Sequence, residues 1–209
     1  MQSSTLAATG ETGRRSGPSA WVLRWLGAPS GNGWLLDFAS GDGRHVAAAR
    51  AAGYRVTAAD RDGAALTQAA AVGAETVEAD LEDGRWPFAD RRFEVVVMTR
   101  YLYRARLQLL LTLLEPGGRL IAETFLSGQA SWGRPRNRSF LLAPDELFAV
   151  CRRGGLTILA FEQGVVAGPA AVQRIAAIRP PFDGRAWPID PPPAELPEAG
   201  LRRGRDESS

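Results

Sequence analysis

Lysine is absent from the 209 residues: all 25 basic side chains are arginine, set against 23 aspartates and glutamates. A Walker A phosphate loop needs its lysine and a pyridoxal enzyme needs one for its Schiff base, so both classes are excluded. Histidine and cysteine occur once each, as His45 and Cys151. That is too few for a zinc site of the usual Cys/His kind or for an intrachain disulfide, and no metal site is expected. Long apolar runs are missing too. The longest, Leu107 to Leu114, is broken by Gln108 and Thr112 and is far too short to span a bilayer; the first twenty residues hold no apolar core of signal-peptide length. A formal net charge of +2 without a basic block argues against a nucleic-acid partner. These absences lead us to expect a soluble, cytoplasmic protein with neither DNA nor a membrane as partner. What is there is globular in composition, 45% hydrophobic and 23% charged.

Composition divides the chain into three. Residues 1–17 are Ser, Thr, Gly and Arg with little to bury, and residues 180–209 are dominated by Pro, Gly and charge, including Pro191-Pro192-Pro193. Both are expected to be disordered tails, flanking one domain over residues 18–179. Inside it, strand-like and helix-like stretches alternate. Strands are expected at 34–38, 54–59, 75–79, 93–99 and 119–125, and helices at 44–52, 64–71 and 107–114, the last closed by Glu115-Pro-Gly-Gly118. Another helix is expected to open with Pro144 at its first position and to end at Gly154-Gly155. Two last strands, 156–162 and 172–178, are joined by nine residues, too few for a helical crossover, so the pair must be antiparallel. The pattern predicts an α/β fold: a Rossmann-like, seven-stranded, mostly parallel sheet with one antiparallel strand and helices on both faces. Ligands in such sheets sit beyond the carboxyl ends of the strands.

Asp37-Phe-Ala-Ser-Gly41-Asp-Gly43-Arg44-His45 runs from a strand through a turn with two glycines into a helix. Glycine allows a positive φ and a close approach of backbone to ligand, and free amides at the helix start face what is bound. The pyrophosphate fingerprint wants a third glycine where Val46 stands. Asp37, four residues before Gly41, would repel a pyrophosphate and suits a ligand with positive charge. Asp60 follows Gly43 by seventeen residues, at the end of the second strand, where a carboxylate accepts both hydroxyls of a ribose. Asp80-Leu81, at the end of the third, suits an adenine amino group and ring face. Ribose, adenine and a cationic group together describe S-adenosylmethionine.

On these residues the stretch 19–178 resembles class I S-adenosylmethionine-dependent methyltransferases. Leu36 to His45 is similar to their first motif in its D-x-A-x-G-x-G form, and Gly53 to Arg61 to their second. The small bacterial branch that includes tellurite-resistance methyltransferases resembles it most, through Phe125 to Glu146. The resemblance implies that Ala39, Gly41 and Gly43 line the methionine part of the cofactor. It further implies that Asp60 binds the ribose with Arg61 beside the adenine, that Asp80 and Leu81 recognise the adenine edge, and that Thr99-Arg100-Tyr101 lies beside the methyl group. The amphipathic stretch Trp21 to Leu26 corresponds to a lid in family members, with Arg24 pairing the cofactor carboxylate or, on the plainer reading, two tryptophans capping the core. His45 is expected to support the fold, and Cys151 to be a small buried apolar residue.

The acceptor is expected to be a small molecule. Tyr101 and Glu123 are the catalytic candidates, with Glu123 alternatively satisfied by a neighbouring arginine. Arg100, Tyr103, Trp132, Arg134 and Arg136 are the candidate substrate contacts; the loop 128–139 would bind an anionic acceptor or else be a solvated arginine-rich surface. Methyl transfer needs a general base only where the acceptor loses a proton during attack. Thr99-Arg-Tyr-Leu102 lacks the [D/N/S]-P-P-[Y/F/W] signature of enzymes that methylate base amines, which argues against DNA. Two other readings remain open at this point: an NAD-type oxidoreductase, and a non-catalytic protein that binds S-adenosylmethionine or a nucleotide.

Overall fold

The computed structural model describes residues 17–182 and Gly184. The tails expected at 1–17 and 180–209 lie almost wholly outside the described residues. Among the described residues, five α-helices and seven strands follow one another: α1 (Ala20–Leu26), β1 (Trp34–Phe38), α2 (Val46–Ala51), β2 (Arg55–Asp60), α3 (Gly63–Ala71), β3 (Glu75–Glu78), β4 (Phe93–Thr99), α4 (Leu107–Leu111), β5 (Leu114–Phe125), α5 (Glu146–Arg153), β6 (Thr157–Val166) and β7 (Ala170–Ile178). The strands form one sheet in the order β3-β2-β1-β4-β5-β7-β6. β7 runs antiparallel to both β5 and β6, while the other neighbours pair in parallel. The expected sheet, with its single reversed strand, is present.

The period of two along each strand sorts the side chains into two layers. Leu35, Val95, Val97, Ile121 and Ala176 face α1, α2 and α3. Leu36, Val96, Met98, Leu120, Ala122 and Ile175 face α4 and α5. Seven residues make too short a helix to persist alone in water. α1 persists because Ser19 caps it, its Oγ accepting from Trp21 N at 3.2 Å, and because Trp21, Val22, Trp25 and Leu26 are all buried. Each large side chain so buried contributes roughly 1.5–3 kcal/mol, and Trp21 Nε1 is satisfied by Ile175 O at 3.1 Å.

Three local expectations are corrected. Glu115 to Gly118 does not close a helix; α4 ends at Leu111, and the four residues form an excursion inside β5, between Leu114, paired with Phe93, and Arg119, paired with Val95. Pro116 has no N–H for the ladder and Gly117 has φ +77°, so the pairing skips them. Pro144 is not the first helical residue: α5 starts at Glu146, after Asp145 at φ +59°. Gln163 holds Asp145 there, accepting from Asp145 N at 3.0 Å and donating to its Oδ1 at 2.8 Å. The hairpin link is also shorter than expected, only residues 167–169, because both strands extend past their apolar cores.

Candidate active site at the carboxyl edge of the sheet

The parallel strands bring the ends of β1, β2, β3, β4 and β5 to one edge, and the glycine turn lies there. Ser40 N donates to Ala59 O at 3.0 Å and Gly41 N to Asp60 Oδ2 at 2.8 Å, so the turn is tied to the end of β2. Gly41 has φ +53° and open space where a Cβ would stand. Gly43 has a different reason to be glycine: a Cβ there would come within 2.7 Å of Ala69 Cβ on α3. Ala39, in place of a glycine, is held at φ +56°, a conformation that costs an L-residue about 1–2 kcal/mol. Asp60 spends its other oxygen on Asp62 N at 3.0 Å, and Asp80 Oδ1 accepts from Glu82 N and Asp83 N at 2.8 and 3.2 Å. Both acids therefore stand at adjacent strand ends and shape their own turns. Leu81 is buried beside them, and Arg61 is exposed.

Asp37 is placed differently from its expected role. Strand alternation turns it into the α1–α3 layer, where it is 1% exposed beneath the turn, with its Oδ2 3.4 Å from His45 Nδ1. Arg24 is likewise drawn elsewhere: its guanidinium lies 3.5 Å from Glu162 on β6, the edge strand, and within 5.6 Å of both the Trp21 and Trp25 rings. α1 packs on β5 and carries Arg24 toward the β7–β6 side rather than over the turn. Glu123 accepts from Ser19 Oγ at 2.9 Å and lies 3.7 Å from Arg174, the satisfied arrangement named above as its alternative.

Thr99 is buried, and Arg44 donates to its hydroxyl at 3.1 Å and to Gly17 O at 3.4 Å. Burial and the nearby Arg100 push the Arg44 pKa down, against the opposing pull of Asp37, Glu123 and Asp42. Sequence reasoning missed Arg44; its one signal is its place directly after Gly43. Arg100 is exposed at φ +55°, its N–H on Glu123 O at 2.9 Å. Tyr101 packs edge-on against Phe38, with ring centres 5.4 Å apart, and its hydroxyl is buried without a hydrogen-bond partner. Burial, then the carboxylates of Glu82 and Asp80, push its pKa well up, so the phenol stays protonated at neutral pH. Tyr103 is half-buried, at the start of the 3₁₀ turn Arg104–Arg106.

Beyond β5, Trp132, Arg134 and Arg136 are exposed on a loop that begins and ends in fixed anchors. Gln129, buried and unforeseen, accepts from Ala171 N at 2.7 Å and donates to Arg134 O at 3.0 Å. Arg104 donates to Ser139 O, Leu141 O and both oxygens of Glu146, at 2.6–2.9 Å. A surface groove of about 340 Å³ runs beside that ion pair, between α4 and α5, and contains none of the expected site residues. Cys151 is buried in the α4–α5 layer with its thiol pushed up to about 12 by burial, on the far side of the sheet from α2 and His45. A Cys-His nucleophile is thereby excluded. Among the described residues no three or more His, Cys, Asp or Glu cluster as a metal site, and no helix is long and apolar enough to cross a membrane.

Residues 35–118, from β1 to the excursion inside β5, match a family model described as a methyltransferase domain. Over these residues, fewer than half of the 209, the chain is similar to methyltransferases. Its fold is that of the class I enzymes, and S-adenosylmethionine is the cofactor of the class. TehB from Haemophilus influenzae superposes with a TM-score of 0.57 at 16% identity, over 70% of this chain; the chain spans only 57% of TehB. A putative S-adenosylmethionine-dependent methyltransferase from Listeria monocytogenes gives 0.59 at 14% identity, over 75% of this chain and 93% of that one. Magnesium protoporphyrin IX methyltransferase from Synechocystis PCC 6803, with S-adenosylmethionine bound, gives 0.56 at 16% identity over 76% of each. No curated protein matches the sequence significantly. The matched region ends before the arginine loop.

Proposed function

We propose that the chain transfers a methyl group from S-adenosylmethionine to a small anionic acceptor by in-line displacement. The observation that carries this is the bond from Gly41 N to Asp60 Oδ2, which fixes an open glycine turn beside a strand-end carboxylate. The residues present fit the cofactor: Ala39, Gly41 and Gly43 offer backbone on the methionine side, Asp60 with Arg61 the ribose side, and Asp80 with Leu81 the base. Asp37 supports the turn from below, and Thr99 stands at the end of β4. When bound, S-adenosylmethionine would supply an electrophilic methyl group to the acceptor's lone pair, its sulfonium sulfur keeping the electron pair of the bond given up.

The chain's own part is alignment and charge. Holding two reactants in line is worth at most about 7–11 kcal/mol. Tyr101, with its proton retained, is a hydrogen-bond donor rather than a base. Glu123 is engaged by Ser19 and Arg174. These two therefore suit an acceptor that attacks without giving up a proton in the step. Arg100, with Arg44 behind it, and Arg134 and Arg136 on the anchored loop, supply positive charge to hold an anion, while Tyr103 and Trp132 supply ring surface. The NAD-type reading loses to the missing third glycine and to the match over residues 35–118. A screen for labelled methyl transfer into fractionated small-molecule extracts tests the proposal. Transfer is expected into an anionic fraction, with turnover reduced about tenfold in Arg136→Ala and binding of S-adenosylhomocysteine unchanged; no labelled product, or an unaffected Arg136→Ala, contradicts it.

A further inference from the structure

The segment after β3 is held at its two ends, by Ala79 N on Asp60 O at 3.0 Å and by Phe88 buried against Phe38 and Phe93, and between them it carries the residues assigned to the base. Asp80 Oδ1 makes a local turn with Glu82 N and Asp83 N, which orders that turn only relative to itself. Between the two ends, residues 81–86 are tied to the rest of the molecule by the 3₁₀ turn Arg104–Arg106. Arg106 Nη1 donates to Leu81 O at 3.2 Å and Nη2 to Gly84 O at 2.9 Å. The same guanidinium lies 5.6 Å from the centre of the Trp86 ring. Three anchors on six consecutive residues thus come from one side chain. Trp86 in turn touches Phe38, at 5.9 Å between ring centres, and Phe38 touches Tyr101.

We infer that Arg106 is the positioning residue for base selectivity in the cofactor site: its planar fork holds Leu81 and Gly84, and with them the turn that orients the Asp80 carboxylate. This rests on the cofactor reading given above. A carboxylate distinguishes adenine, which offers an amino donor, from hypoxanthine, which offers a carbonyl, only if it is held within a fraction of an ångström of the base edge. The fork does this because its donors are rigidly spaced and cannot follow two carbonyls that drift apart. A lysine at the same place keeps the charge and most of the stem but has no plane for Trp86 and no paired donors.

The test is calorimetric titration of S-adenosylhomocysteine and S-inosylhomocysteine into the wild-type chain, Arg106→Lys and Arg106→Gln, with thermal melting run in parallel. The wild type is expected to prefer the adenine ligand by about tenfold or more. Both variants are expected to lose that preference, to about twofold or less, while still binding both ligands. Arg106→Lys retains most of the stem, so a folding failure of the glutamine variant leaves the experiment intact. Retention of the wild-type preference in Arg106→Lys overturns the inference, and so does an equal loss of affinity for both ligands, the mark of a merely structural residue. If the wild type binds neither ligand, the cofactor reading itself falls and takes this inference with it.

Discussion

Two side chains at the site stand in states that the isolated chain would avoid. Ala39 is forced to φ +56° where the chain leaves β1. Glycine at this position escapes the clash of Cβ with the backbone but adds freedom to the unfolded chain. The first effect is the larger, so Ala39→Gly should raise stability by about 0.5–1 kcal/mol in denaturant unfolding, with cofactor binding unchanged. A loss of stability would mean that the methyl group packs better than its neighbours suggest. Tyr101 buries a hydroxyl with no protein partner. Removing such a group relieves a desolvation cost, so Tyr101→Phe should stabilise the ligand-free chain by about 1 kcal/mol while lowering methyl transfer about tenfold. Equal activity in the two forms would show that nothing bound ever meets the hydroxyl. Asp37, Arg24 and Glu123 show the limit of reading roles from residue type. The arginine on a helix and the acid on β5 have near neighbours, Glu162 and Arg174, that lie far away in sequence, while Asp37 meets His45 from within its own motif.

At the scale of elements, the strand-end acids and the glycine turn were legible because strand register alone brings Asp60 to Gly41. The long loop after β5 was legible only as arginine-rich. Its anchors, Gln129 on β7 and Arg104 on Glu146, are pairings across 42 residues each, which no local pattern reveals. The Glu115 to Gly118 excursion misled for a related reason: Pro-Gly-Gly stops a helix and interrupts a strand with the same chemistry. The Arg104–Glu146 pair gives the loop a pH dependence with a definite sign. The side-chain hydrogen bond from Arg104 holds the Glu146 carboxyl below its ordinary range, outweighing partial burial. A depressed folded-state pKa contributes stability that is fully present above the unfolded carboxyl's value and is lost as pH falls through the folded one. Both side chains are partly exposed, so the contribution is about 0.5–1 kcal/mol. Glu146→Gln should therefore melt below the wild type at pH 7, and the gap should close below about pH 4. Hydrogen exchange over residues 126–143 should quicken in the same variant; a gap that persists undiminished at low pH contradicts the ion-pair account.

In the whole molecule, a sheet with one reversed strand separates two helical layers and leaves its carboxyl edge free to bind. Architecture and cofactor class were readable because alternating patterns, and acids in strand register, are local properties repeated along the chain. The acceptor was not, since its candidate contacts come from three separate segments and one of them, Glu123, is already paired. Everything at this scale depends on the carboxyl edge holding S-adenosylmethionine through Asp60. The most direct measurement is calorimetric titration of that cofactor into the wild-type chain and into Asp60→Ala. One site per chain is predicted in the wild type, with affinity weakened roughly 10- to 100-fold in the variant as the ribose hydroxyls lose a charged partner. No heat in the wild type, or an Asp60→Ala chain that binds as tightly, would contradict the account.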